Sequence, residues 1–179
     1  MISSSMKQTN IPDIIKKRRS IRQYTTQKVE DEKIQAILEG MMYAPSARAA
    51  RAWEFIVVKD WEIIQRLGSM KIHAEHAKGA QVVIVICSKE WKYWVEDASI
   101  IGSYVYLLAT GLGLATCWVQ ILDSITMDGG SGEEYVKKLL NIPSDIRVLC
   151  MMPIGYSSEL LPEHTPAEFK KQKIHEEKW

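Results

Sequence analysis

At 179 residues, 46% hydrophobic and 25% charged, the chain is long enough for one sizeable core and too short for two comfortable domains, so residues 1–179 read as a single domain. A formal net charge of +1 excludes any global attraction to nucleic acid or an anionic membrane, and any anion site must be local. Met1 to Met6 lack a basic start followed by an apolar core, and no apolar run reaches the length of a membrane span, so a cytoplasmic location is expected.

In chain order, Asn10 as cap and Pro12 in the first turn predict a short helix over Ile11 to Arg18. Asp31 to Tyr43 forms a second, with Ile34, Ile37, Leu38, Met41 and Met42 on one face and Pro45 stopping it. Glu54 to Lys59 is an apolar strand and Trp61 to Met70 a helix. Gln81 to Cys87 reads QVVIVIC, a β-branched run that a central sheet buries on both faces. Asp97 to Thr110 has helical length and is apolar over most of its circumference, which calls for cover on every side and suggests a subunit interface. Leu114 to Ile121 and Arg147 to Ile154 are further strands, with a Gly-rich loop, Asp128 to Gly132, and a helix, Glu133 to Leu140, between them. From residue 159 to 179 the chain is polar and has no core of its own; it is either disordered or laid over a neighbour, and Trp179 favours the second.

Four segments carry chemistry. Arg18-Arg19-Ser20-Ile21-Arg22 places three guanidinium groups and a hydroxyl within five residues, a donor set that matches a phosphate monoester, although such a run standing alone is more often a solvated basic turn. Ala44-Pro45-Ser46-Ala47 runs on through Arg48 and Arg51 to Trp53, and Gly111-Leu112-Gly113 runs on to Cys117-Trp118-Val119-Gln120. With Pro153-Ile154-Gly155, these follow in an order and spacing that resembles the FMN-dependent nitroreductase family. The likeness covers Ile14 to Tyr156 and the ending Ile174 to Trp179.

That resemblance implies an α+β, three-layer α-β-α fold with a mixed, mostly antiparallel sheet flanked by helices, built as a homodimer whose 159–179 extension embraces the partner. It implies FMN as cofactor, NADH or NADPH as electron donor, and a nitroaromatic, quinone or similar small molecule as acceptor in a ping-pong cycle. By the same resemblance Arg18 and Ser20, with Arg19 beside them, hold the phosphate, and Arg22 lies at the N1/C2 edge of the ring, where a fixed cation stabilises the charge of the reduced form. Pro45, Ser46 and Ala47 reach the partner's flavin. The backbone of Trp118, Val119 and Gln120 lies near N5, and Pro153, Ile154 and Gly155 lie under the ring or beside the phosphate. No side chain is assigned as catalytic, and no metal is expected.

The sequence also departs from the family pattern. Ala49 and Arg51 stand where amides are usual, Gln120 where glycine is usual, and no C-terminal Arg completes the phosphate cage, leaving Lys170, Lys171 and Lys173 as substitutes or as solvent-facing charges. Arg48 and Arg51 either bind the cofactor, select an anionic acceptor or face solvent. These departures keep a second reading open, a non-catalytic flavin-binding protein. His73 and His76, with Glu75 between them, suggest a metal by their spacing but lack a third ligand and are expected on a helix surface, and Trp91 and Trp94 either form a lid over the flavin or pack, packing being the expectation. Cys87, Cys117 and Cys150, odd in number and without ligand spacing, read as buried thiols.

Overall fold

A computed structural model describes residues 11–179; the expected cap at Asn10 and the Met1–Met6 start lie outside the described residues. Five strands, β1 (Trp53–Val58), β2 (Val82–Lys89), β3 (Ala115–Thr116), β4 (Val119–Gln120) and β5 (Ile146–Gly155), form one sheet. The order is β1-β2-β5-β3, with β4 also on β5, and every strand pairing is antiparallel. The parallel element is a single bridge from Ser20 to Thr116.

Strand β2 shows why the sheet has two covers. Val82, Ile84 and Ile86 join the core beneath α2 (Asp31–Met42) and α4 (Trp94–Gly111), while Val83, Val85 and Cys87 join the core beneath α3 (Trp61–Ser69) and α5 (Gly132–Leu140). Alternate residues of a strand point to opposite faces, so an unbroken apolar run serves both layers, each buried Val or Ile contributing about 1.5–3 kcal/mol. This is the expected three-layer arrangement. Caps set the helix limits as well: the Asp60 carboxylate accepts from Ile63 N–H at 2.9 Å and opens α3. Asn141, at φ 53°, closes α5 in the left-handed region that Asn tolerates.

Two expectations change. The strand expected over Leu114 to Ile121 is two short pieces, β3 and β4, in one register, with Thr116 opposite Ile154 and Val119 opposite Met151. The gap falls opposite Pro153, which has no N–H to give, and Trp118 N–H, directed away from β5, donates to the Tyr106 hydroxyl at 2.8 Å. On α2, Met41 is fully buried but Met42 is half exposed, because the helix ends there and the stripe has turned off the core. Trp94 is buried beneath the Arg147 guanidinium, 4.9 Å from the ring centroid, and Trp91 packs against the same core, as expected of packing residues.

Helix α4 buries Ala98, Ile101, Val105 and Ala109 on the sheet. Its other side, through Tyr104, Leu107 and Leu108, forms with Ile14 of α1 (Ile11–Lys17) and Leu112 an apolar groove of about 470 Å3. The three thiols are buried: Cys87 and Cys150 lie in β2 and β5, and Cys117 lies in the gap between β3 and β4. Burial pushes the Cys87 thiol up to about 12 and raises those of Cys117 and Cys150 as well.

Candidate active site

The basic segment leaves α1 and runs along the outer edge of β3. Ser20 bridges Thr116 and Ile21 N–H donates to Thr116 C=O at 3.1 Å, so the run is pinned as an extra edge to the sheet. Pinning gives the side chains fixed directions. Ser20 Oγ lies 3.1 Å from the Tyr106 hydroxyl, and the Arg18 guanidinium lies 5.2 Å from the Tyr106 ring centroid. Arg22 Nη1 donates to Ser20 C=O at 3.3 Å. Arg19 turns to the C-terminal segment, donating to Pro162 C=O.

That C-terminal segment supplies a residue the sequence reading did not single out. His164 N–H donates to Lys16 C=O at 2.9 Å, His164 Nε2 lies 3.1 Å from Arg18 Nη2, and Glu159 accepts from the backbone N–H of Arg22 and Gln23. Residues 159–164 are therefore held on their own chain. Lys170, Lys171 and Lys173 are exposed, and His164 rather than any of them stands beside Arg18.

On the other side of Arg22 is a cavity of about 460 Å3 bounded by Trp118, Ile72, His73, Glu75 and His76. The histidines belong to a 3-10 segment, Ile72–Gly79, and His76 is half-buried, so the expected helix surface is in fact a wall of this cavity. Burial, and then the Arg22 charge, lower the His76 pKa, which favours the neutral ring. Its Nε2 is buried without a hydrogen-bond partner, as is Thr116 Oγ1 across the bridge from Ser20. No group of three potential metal ligands exists among the described residues.

Strand β4 aims a backbone donor outward. Ile121 N–H donates to Leu149 C=O at 3.0 Å, and hydrogen-bonded pairs alternate along an antiparallel ladder, so the Gln120–Cys150 pair is the non-bonded kind. Gln120 N–H and C=O therefore point away from β5, and the C=O accepts from Lys71 Nζ. Burial lowers the Lys71 pKa from the ordinary lysine range. The Gln120 side chain is tied back, accepting from Trp118 Nε1 at 2.8 Å and donating to Leu122 C=O at 3.0 Å.

Pro153, Ile154 and Gly155 are buried in β5 under this segment. A Cβ built on Gly155 would lie 2.8 Å from Tyr24 Cδ1. The space that glycine leaves open is filled by Tyr24, whose hydroxyl donates to Ile21 C=O at 2.9 Å. Pro153 and Gly155 thus seat Tyr24, which in turn holds the basic segment.

The Pro45–Arg51 loop lies apart from Arg18 within one chain. Ala47 N–H donates to Asp97 Oδ1 at 2.8 Å in the first turn of α4, nine residues, or about 14 Å of helix, from Tyr106. Ser46 Oγ accepts from Arg51 N–H at 3.0 Å, while Arg48, Ala49 and Arg51 adopt φ of 53°, 52° and 47°. Three non-glycine residues in the left-handed region within four positions mark a loop held in an unfavourable shape by its surroundings. Arg48 and Arg51 are exposed.

Tyr106 joins the halves of the site and was not singled out from sequence, where it is one aromatic among many on an apolar helix. Its hydroxyl is shared by Ser20 Oγ and Trp118 N–H. Tyr106→Phe should leave Trp118 N–H without this partner and cost about 1–3 kcal/mol in urea unfolding, with a visible change in Trp fluorescence.

The chain matches the Nitroreductase family model over residues 15–72 and 68–156. A solved structure, an FMN-dependent nitroreductase from Clostridium difficile, superposes with a TM-score of 0.90 at 36% identity, covering 93% of this chain and 98% of that one. A relative from Methanothermobacter thermautotrophicus, provisionally named NADH dehydrogenase/NAD(P)H nitroreductase, is 31% identical over 186 residues, covering 99% of this chain and 92% of its own length. An NADH dehydrogenase from Thermus thermophilus is 25% identical over 182 residues, covering 80% of this chain and 84% of that protein. On the fold, the pinned basic segment and these matches together, the chain belongs to the nitroreductase family.

Proposed function

We propose that the chain is an FMN-dependent oxidoreductase that takes hydride from NADH or NADPH and passes the electrons to a nitroaromatic, quinone or similar acceptor in a ping-pong cycle, working as a homodimer. The oxidoreductase class and the cofactor follow from the family and from what its similar members bind and do. The observation that carries the reading is the placement of Arg18, Ser20 and Arg22 along the β3 edge, leading into the cavity walled by Trp118 and His76.

The donor set fits FMN. Arg18, Ser20 and His164 suit the phosphate, with Thr116 Oγ1 and His76 Nε2 as buried polar atoms still open to a partner. When bound, FMN supplies two-electron chemistry through its N5, which accepts and returns hydride. Around it, this chain's residues orient and stabilise. Arg22 sets positive charge at the cavity where negative charge develops on reduction. Gln120 N–H, aimed off the sheet, is the donor suited to N5. Asp97 holds the Pro45–Arg51 loop, which by its distance from Arg18 suits the partner's site, and the apolar α4 groove suits the partner's matching face.

A visible spectrum of the purified protein, with mass spectrometry of what it releases on denaturation, should identify FMN. Under anaerobic conditions NADH or NADPH should bleach the flavin, and menadione or a nitrofuran should restore the colour. Bleaching by dithionite but by neither nicotinamide overturns the enzyme reading in favour of a flavin-binding protein.

A further inference from the structure

Beside the Arg22 cavity lies a second hollow of about 310 Å3 that shares Ile72 and His73 with it and is otherwise bounded by Lys71, Ser124, Ile125, Thr126 and Met127. By itself this second hollow stands at the small end of ordinary small-molecule sites, about 300–1,000 Å3. Three large apolar side chains stand exposed at the second hollow, Ile72 at 69%, Ile125 at 68% and Met127 at 68%, and this clustering asks for a function.

The loop that presents two of them is fixed in place. Met127 N–H donates to Met70 C=O at 2.9 Å, Ile125 bridges Ser131, and Thr126 Oγ1 bonds Asp128 and Gly130 C=O. The apolar patch is thus built onto the end of α3 and the start of α5.

Of the residues that line this second hollow, Lys71 alone is a lysine, arginine or carboxylate. Lys71 stands at the junction with β4, its ammonium on Gln120 C=O, and His73 is shared with the Arg22 cavity. Glu75, which lines the Arg22 cavity, has its carboxylate 3.6 Å from Lys78 Nζ, and Asp128 is engaged by Thr126. An ammonium carries three donors, and one backbone carbonyl uses one of them.

We infer that this hollow binds the body of a flat apolar acceptor bearing an anionic group, a carboxylate or its like, with Ile72, Ile125 and Met127 against the ring and Lys71 against the anion. The inference rests on the proposed function in taking the bound molecule for the electron acceptor. Lys71 holds it next to the outward edge of β4, where Gln120 N–H points.

Binding is tested apart from turnover. Calorimetric titration of the flavin-loaded protein with 2-naphthoate and with 2-naphthamide should show the carboxylate binding about tenfold or more tightly, the effect of one charge-assisted hydrogen bond. Lys71→Gln should bring the two to near equality, Lys71→Arg should retain the preference, and Ile125→Ser should weaken both ligands alike. Equal binding by the wild type, or a preference untouched in Lys71→Gln, overturns the inference. Reduction of 4-nitrobenzoate and 4-nitrobenzamide then separates the two readings. A Lys71-dependent binding preference with neither nitro compound reduced supports the hollow and overturns the function. Reduction of both at rates independent of Lys71 supports the function and overturns the hollow.

Discussion

Purified Arg18→Ala protein should bind FMN about tenfold to a hundredfold more weakly than wild type, because a charge-assisted hydrogen bond to phosphate contributes about 1.5–3 kcal/mol. The fold should survive, since the Arg18 guanidinium meets His164 and the face of Tyr106 and holds no strand or helix in place. Fluorescence titration of the stripped protein with FMN measures the loss, and circular dichroism checks the fold. Arg22→Ala is the contrast. Its side chain faces the cavity with Trp118 and His76, so it should lower affinity for oxidised FMN less than Arg18→Ala while lowering the midpoint potential, about 30 mV for each 1.4 kcal/mol of differential stabilisation in a two-electron couple. An unchanged potential with equally damaged affinity would move Arg22 into the phosphate set.

The largest effect on stability should come from Glu133→Ala. Glu133 is 8% exposed and accepts from Arg147 Nε at 2.9 Å, Arg147 Nη2 at 3.0 Å and Val148 N–H at 2.9 Å, with Lys137 Nζ 3.7 Å away. Removing the carboxylate leaves the Val148 N–H unpaired and takes a partner from buried Lys137 and half-buried Arg147, a loss of about 3 kcal/mol at neutral pH; the low end of the range applies because Arg147 keeps Glu90 while Lys137 keeps Glu134 and Ser144 C=O. For a chain of this size that is about 6–12 °C in Tm. Burial by itself would raise the Glu133 pKa, but the bonds from Arg147 and Val148 and the charges of Arg147 and Lys137 outweigh it and hold the carboxyl below its ordinary value. A depressed folded-state pKa stabilises fully above the unfolded carboxylate value of about 4.3, and the contribution is lost as pH falls through the folded value. Urea unfolding of wild type and Glu133→Ala at pH 7 and in the acid range should therefore show curves that converge on acidification.

What was legible in the sequence was local. Arg18, Ser20 and Arg22 lie within five residues, so their common edge needs no knowledge of topology, and the β2 run announces a strand covered on both faces because its period is two. What was hidden is made by the sheet. Arg18 meets His164 across 146 residues, Lys71 meets Gln120 across 49, and Ser20 meets Tyr106 across 86, pairs that no spacing rule brings together. His73 and His76 show the same limit. Their spacing was plain, but whether it faced solvent or a cavity depended on where Arg22 and Trp118 came to lie. The break between β3 and β4 was invisible locally too, since its cause, Pro153, sits on another strand.

The three buried thiols give this protein a chemical clock. Alkylating reagents attack thiolates, and Cys87, Cys117 and Cys150 are buried with their pKa values raised by burial, so attack on them should wait for the molecule to open. Cys87 and Cys150 lie in neighbouring central strands and Cys117 at the edge of the site, so Cys117 samples a shallower opening than the other two. The order in which the three are modified reads out how the molecule comes apart: Cys117 alone for a loosening of the β3–β4 edge, all three together for global unfolding. Mass spectrometry of the alkylated chain thus resolves local from global opening without any engineered probe.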